Sequence, residues 1–201
     1  VMFIGKYNKS VILTYLGVVS AVAGMFLALN HYLSYAFLCL IFSGLADLFD
    51  GKIARMCKRN EEEKAFGIQI DSLADMVSFV MLPVALVIGM GFNKWYHALI
   101  CALYVLAAII RLGYFNIKAE EAHSYYQGVP VTYSALGFSL TFLLFSFVSK
   151  GIFEAIYCLV ILLFALFFVI NIPIKKPSGA AYIFFGALAV AASAAILVIG
   201  A

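Results

Sequence analysis

Charged side chains are scarce in this chain. Only 11% of its 201 residues are Asp, Glu, Lys or Arg, whereas 66% are hydrophobic. A soluble domain carries about 25% charged residues. The composition therefore excludes an ordinary soluble protein and, with a mean hydropathy of +1.08, predicts an integral membrane protein. We expect membrane lipids around it and no nucleic acid as a partner.

Residues that bind soft metals or form disulfides are also sparse. The four cysteines are scattered through apolar segments without a CxxC pair, and the three histidines are not clustered. These spacings argue against a disulfide framework and against a zinc site. We interpret the cysteines as buried free thiols.

Long apolar runs fill most of the chain, and a membrane helix needs about 20 such residues. They predict an all-α polytopic membrane bundle of about six to seven transmembrane helices, forming a single domain over 1–201. The first run reads as an anchor and not as a cleaved signal peptide. Small residues four apart near the N-terminus permit close helix packing. The candidate segments are 11–29, 33–56, 67–91, 95–115, 131–148, 152–171 and 180–200.

Lysine and arginine predict the orientation, because cytoplasmic loops of membrane proteins are enriched in both. With the N-terminus in the cytoplasm, eleven of these residues fall on the inner side. Lys94 and Lys150 fall on the outer side. We therefore expect a multi-pass cell-membrane protein with a cytoplasmic N-terminus.

Four aspartates interrupt the apolar pattern in the stretch DLFDGKIARMCKRNEEEKAFGIQIDSLAD, residues 47–75. Asp47 and Asp50 are spaced i, i+3 and share one face of the second helix, while Asp71 and Asp75 are spaced i, i+4 on the third. A single aspartate at a helix end is usually a solvated cap, and Asp71 alone would suit the first turn of a helix. Antiparallel neighbours would instead bring all four carboxylates together on the cytoplasmic side.

Four clustered carboxylates repel one another, and desolvation adds to that cost. A hard divalent cation removes the repulsion, and oxygen-only ligands favour Mg²⁺, Mn²⁺ or Ca²⁺ over zinc. Two ions that share such a site are common in reactions at phosphorus. Intramembrane ionisable residues are functional candidates by default.

The same stretch resembles the signature of the CDP-alcohol phosphatidyltransferases. The matching positions are Asp47, Asp50, Gly51, Ala54, Arg55, Gly67, Asp71 and Asp75. The spacer between Arg55 and Gly67 is longer than is common in the family, and its polar insertion KRNEEEK predicts an extended cytoplasmic loop. The segments DSLADMVSFVMLP (71–83), RLGYFN (111–116) and GVP (128–130) resemble the phosphatidylserine synthase branch.

This resemblance implies transfer of a phosphatidyl group from a CDP-linked lipid to the hydroxyl of L-serine, with release of CMP. It implies that Asp47, Asp50 and Asp71 are metal ligands and that Asp75 is the general base and a further ligand. The nucleotide site would consist of Gly51, Ala54, Arg55 and Gly67. A homodimer is also expected.

Arg111 is the best candidate for the acceptor carboxylate, because it is a cation at the cytoplasmic end of an apolar helix. The alternative is a snorkelling anchor or a bond to helix-end carbonyls. Asn116, Lys118 and Gln127 are further acceptor candidates.

Two other functions compete with serine transfer. An enzyme of the same family could use glycerol 3-phosphate or an inositol phosphate, although a phosphorylated acceptor would call for more cations than the aligned stretches offer. A cation transporter would need ligands near the bilayer midplane, often on repeats, and no repeat is visible.

Overall fold

The computed structural model describes residue 5 and residues 11–118, 125–175 and 179–199. Their elements follow the chain as α1 Ile12–Leu29, α2 Leu33–Met56, α3 Glu61–Asp75, a π-helical segment Met76–Met81, α4 Leu82–Gly89, α5 Trp95–Lys118, β1 Tyr125–Gln127, α6 Tyr133–Phe142, a 3₁₀ segment Leu143–Ser146, α7 Lys150–Val169, β2 Pro173–Lys175 and α8 Gly179–Ile199.

The predicted helical membrane bundle is confirmed. Six helical stretches of the described chain are long and apolar enough to cross a membrane, and one of them runs without interruption from Glu61 to Gly89. The seventh candidate, 131–148, becomes the shorter stretch Tyr133–Ser146. Its length of roughly 23 Å is less than the hydrocarbon thickness of a bilayer.

Two short strands were not predicted. Residues Tyr125–Gln127 pair antiparallel with Pro173–Lys175, in the loops before α6 and after α7. This ribbon lies at the end of the bundle that also holds the four aspartates, which we call the aspartate end.

The third helix begins earlier than its apolar pattern suggests. Asn60 and Glu63 form a reciprocal capping box, in which each side chain accepts a hydrogen bond from the other residue's backbone N–H. Such a box satisfies free donors in the first turn of a helix. The prediction that the polar insertion extends a loop is therefore wrong for Glu61 to Lys64, which form the start of α3. Asp71 consequently lies well inside the helix, not in its first turn.

Close packing of α1 against α2 depends on small residues. The buried residues of α1 are Gly17, Ala21, Gly24 and Ala28, as their spacing predicts. A Cβ atom at Gly24 would lie 2.9 Å from the Cβ of Cys39 and 3.1 Å from the Leu82 side chain. The two helices, with α4, therefore approach more closely than larger residues would allow.

An aromatic core joins α5, α6 and α7. Tyr104, Phe138 and Tyr157 are almost completely buried, and the ring of Phe138 contacts both tyrosine rings. At the end opposite the aspartates, Glu154 of α7 accepts hydrogen bonds from Lys94 and Tyr96. These contacts fix α5 against α7.

We predict that Gly24→Ala destabilises the protein and that Gly186→Ala does not. Overpacking a close helix contact costs about 1–3 kcal/mol, whereas in the described part of the chain no atom lies within 4 Å of a Cβ atom placed at Gly186. Thermal unfolding of both variants in detergent micelles measures the difference. Equal melting temperatures would show that the α1–α2 contact is looser than these distances indicate.

Candidate active site

Three of the four aspartates form a compact ligand group. Asp47, Asp50 and Asp71 each offer a carboxylate oxygen, and these atoms all lie within 4.8 Å of one another. The group forms because α2 and α3 are joined by a short connection at the aspartate end, so their acidic faces meet.

The fourth aspartate lies at the last position of α3 and lines the same cleft. The carboxyl groups of Asp75 and Asp47 are close enough to interact directly. Two carboxyl groups so close need a proton or a cation between them. All four predicted aspartates therefore line one cleft, and three of them form the ligand group.

A threonine on α1 orients one of these ligands. The Thr14 hydroxyl donates a 2.6 Å hydrogen bond to Oδ2 of Asp50, whose side chain is almost completely buried. This bond restricts the orientation of the Asp50 carboxylate. Thr14 was not predicted as a site residue, because a single threonine within an apolar helix gives no signal of its own.

The chemistry of the donor set fits a divalent metal ion. In the described part of the chain the group contains only carboxylate oxygens, without a His or Cys ligand. Oxygen-only sites of this kind suit Mg²⁺, Mn²⁺ or Ca²⁺. A cation there would also remove the mutual repulsion of the aspartates.

The aspartates line a cleft of about 190 Å³. Gly51 lines it, and among the described residues no atom would lie within 4 Å of a Cβ atom at this position. The backbone next to Asp50 is thus open to a bound molecule.

Arg111 lies in the wall of this cleft, with 5% of its surface exposed. Its Nε donates a 3.2 Å hydrogen bond to the carbonyl oxygen of Val129, and its guanidinium lies 5.6 Å from the centre of the Phe115 ring. The side chain is therefore held inside the site and does not extend to the membrane surface as a snorkelling anchor would.

A tight turn fixes the carbonyl that holds Arg111. Gly128 has a φ of +77°, which favours glycine. A Cβ atom there would lie 3.1 Å from the carbonyl oxygens of Phe168 and Ile170. Any larger residue at this position would strain the turn and crowd its contact with the end of α7.

The other acceptor candidates lie elsewhere. The Asn116 amide accepts a 2.5 Å hydrogen bond from Ser72 and donates a 3.2 Å bond to Gln69, so it ties α5 to α3. Lys118 is the last residue of α5 and is half-buried. The backbone of Gln127 belongs to β1, and its side chain lies outside the described residues.

The remaining candidates for nucleotide binding are close in sequence to residues that line the cleft. Ala54 is half-buried on α2, one turn beyond Asp50. A Cβ atom at Gly67 would lie 3.4 Å from a guanidinium nitrogen of Arg59. Arg55 is in α2, but its side chain lies outside the described residues.

Several residues of the cleft were not predicted. Lys52 of α2, Tyr133 at the start of α6 and Tyr182 of α8 all line it. Tyr133 follows shortly after the GVP pattern at 128–130. Tyr182 gave no signal, because a tyrosine in an apolar helix is typical of any membrane protein. Its position makes the last helix part of the site.

An apolar groove of about 280 Å³ continues from the cleft. Both share Asp47, Leu48, Thr132 and Tyr133. Apart from these shared residues the groove is lined mainly by aliphatic and aromatic side chains of α2, α6, α7 and α8. A molecule with a charged head and an apolar tail could therefore place its head in the cleft and its tail in the groove.

Known proteins are similar to this chain in sequence. A synthase from Saccharomyces cerevisiae described as CDP-diacylglycerol–serine O-phosphatidyltransferase is 29% identical over 109 residues, which cover 50% of this chain and 38% of that protein. The protein of that name from Helicobacter pylori is 31% identical over 116 residues, covering 56% of this chain and 47% of the relative. Archaetidylserine synthase from Methanothermobacter thermautotrophicus is 28% identical over 133 residues, covering 66% and 56%.

The chain thus matches about half, or less, of the length of these relatives. The profile of the CDP-alcohol phosphatidyltransferase family matches residues 7–198, almost the whole sequence. The chain belongs to the CDP-alcohol phosphatidyltransferase family.

Proposed function

We propose that this protein transfers a phosphatidyl group from a CDP-linked lipid to the hydroxyl of L-serine and releases CMP. The observation that carries this proposal is the convergence of four aspartates from α2 and α3 on a cleft that continues into an apolar groove. The polar cleft suits the diphosphate and the acceptor, and the groove suits an acyl or ether chain. The names of the relatives support serine as the acceptor.

Asp47, Asp50 and Asp71 would hold divalent metal, with Asp75 as a further ligand. The family and the all-oxygen donor set favour Mg²⁺ or Mn²⁺, and four carboxylates offer enough oxygens for two ions. Such ions supply charge neutralisation at the diphosphate. Thr14 keeps the Asp50 carboxylate turned toward the site.

Asp75 would take the proton of the acceptor hydroxyl. The serine oxygen forms a bond to the phosphorus that carries the lipid, and the bond from that phosphorus to the CMP oxygen breaks. CMP leaves with the bonding electron pair. Asp75 suits this role by its position, because it lines the cleft together with Asp47, Asp50 and Asp71.

The open backbone at Gly51 would receive the nucleotide, with Ala54, Arg55 and Gly67 along the same path. Lys52 lies on the cleft wall and adds a positive charge for the diphosphate. Arg111 would bind the serine carboxylate, since a guanidinium pairs well with a planar carboxylate. Asn116, Lys118 and Gln127 would contribute indirectly, as Asn116 does by tying α5 to α3.

The excess of lysine and arginine in the loops supports a cytoplasmic position for the aspartate end. We also propose that residues 1–201 act as a single domain and that the protein forms a homodimer, as the family resemblance implies.

Purified protein with CDP-diacylglycerol and Mg²⁺ or Mn²⁺ is expected to release CMP when serine is present. Parallel reactions with glycerol 3-phosphate and with an inositol phosphate test the acceptor. Asp75→Asn and EDTA should each abolish release, because the base or the metal is then lost. Release with only a phosphorylated acceptor would refute the serine assignment, and the absence of release with every acceptor would refute the proposed reaction.

Thr14→Val is expected to weaken Mn²⁺ binding about tenfold, a loss typical when a residue that orients a metal ligand is removed. Thr14→Ser keeps the hydroxyl and should bind Mn²⁺ like the wild type. The free Mn²⁺ signal in electron paramagnetic resonance measures both. Equal affinities for the valine and serine variants would mean that the bond to Asp50 does not orient a ligand.

Arg111→Lys is expected to raise the KM for serine about tenfold or more, because a lysine cannot reproduce the bidentate pairing of a guanidinium with a carboxylate. The KM for CDP-diacylglycerol should change little. Lys64→Gln, which removes an exposed charge on α3, is the matched control. A similar rise in both KM values for Arg111→Lys would indicate a structural role for this residue instead.

A further inference from the structure

The helix that carries Asp71 and Asp75 changes its winding directly after Asp75. Residues Met76–Met81 are π-helical, and the backbone N–H of Leu82 bonds to the carbonyl of Val77, five residues earlier. Such a segment accommodates one more residue than an α-helix would. It separates the two aspartates from α4, which is packed into the core.

Pro83 explains why the winding changes here. In a continuous α-helix the carbonyl of Phe79 would accept its hydrogen bond from the residue four positions later, which is Pro83. Proline has no N–H, and its ring collides with that carbonyl in regular α geometry. The Phe79 carbonyl therefore loses its α-helical donor in a buried part of the molecule.

Two hydroxyl groups from other helices supply that bond. The Tyr104 hydroxyl on α5 donates a 2.5 Å hydrogen bond to the Phe79 carbonyl oxygen, and the Ser134 hydroxyl on α6 lies 3.4 Å from the same atom. Both residues are almost completely buried. A buried carbonyl without a donor would be costly, so these bonds stabilise the π-helical form.

The winding decides which way the aspartates face. If the segment reverted to α-helix while α4 stayed in the core, α3 would rotate by about 100°, the angle of one α-helical residue. Asp71 and Asp75 would then turn away from Asp47 and Asp50. The π-helical segment is therefore a condition for the four carboxylates to meet.

We propose that Tyr104, Ser134 and Pro83 are positioning residues that set the rotation of α3 and thereby complete the aspartate site. They act through the backbone of Phe79 and do not touch the substrates. The inference rests on the metal-binding role proposed above. It also gives a physical role to the proline at the end of DSLADMVSFVMLP.

Tyr104→Phe tests this inference, and Tyr157→Phe is its matched control. Both tyrosines are buried in the same aromatic core, and both rings pack on Phe138. Among the described residues, the Tyr157 hydroxyl has no hydrogen-bond partner. Tyr104→Phe should weaken Mn²⁺ binding in the presence of CMP about tenfold, whereas Tyr157→Phe should leave it unchanged.

Pro83→Ala is the second variant, because it restores an N–H to the helix and adds a better helix former. It should also weaken Mn²⁺ binding. If Tyr104→Phe fails to fold, the Mn²⁺ affinity of Pro83→Ala tests the proposal instead. Wild-type affinity in either folded variant would overturn the proposal. An equal loss of Mn²⁺ affinity in Tyr157→Phe would also overturn the proposal, since removal of any hydroxyl from the aromatic core would then have the same effect.

A second readout needs neither metal nor activity. Ala74 is buried on α3, and a cysteine placed there should react slowly with a maleimide. The Ala74→Cys site should react at least several-fold faster when combined with Tyr104→Phe or Pro83→Ala, as quantified by peptide mass spectrometry. Unchanged labelling would refute the rotation. If the wild type bound no Mn²⁺, the proposed function would fail, while the labelling would still report on the helix.

Discussion

The mutual repulsion of four carboxyl groups inside an apolar bundle is the constraint on which this structure depends. Each group has lost hydration and faces like charge, so the arrangement is unfavourable unless it binds a cation or a proton. The supporting contacts come from several elements: Thr14 on α1 holds Asp50, Asn116 on α5 holds α3, and Tyr104 holds the segment behind Asp75. The bundle thus supports the carboxylates through contacts from three neighbouring elements.

Much of the fold and the centre of the site could be predicted from sequence, because both follow from strong local patterns. Apolar runs give the spans, and helical spacing places Asp47 with Asp50 and Asp71 with Asp75. The apolar pattern did not predict the beginning of α3, because the residues of the capping box at Asn60 are polar and polar stretches are typical of loops. The short strands and the Arg111–Val129 contact join residues distant in sequence, and no local pattern contains that information.

The site also joins two physical environments. Asp47 and Tyr133 border both the polar cleft and the apolar groove, so a charged head and a hydrocarbon tail would meet at one wall. Groups placed there are held by a rigid frame: the Gly128 turn docks on α7, and the guanidinium of Arg111 docks on that turn. The polar wall is therefore held in place by contacts with the backbone.

The contribution of Tyr182 to the cleft has a consequence for biogenesis. This residue belongs to α8, whereas the aspartates lie on α2 and α3. During synthesis the acidic helices enter the bilayer long before the helix that closes their cleft is made. The acidic groups of α2 and α3 are therefore inserted before Tyr182 of α8 can contribute to the wall of their cleft.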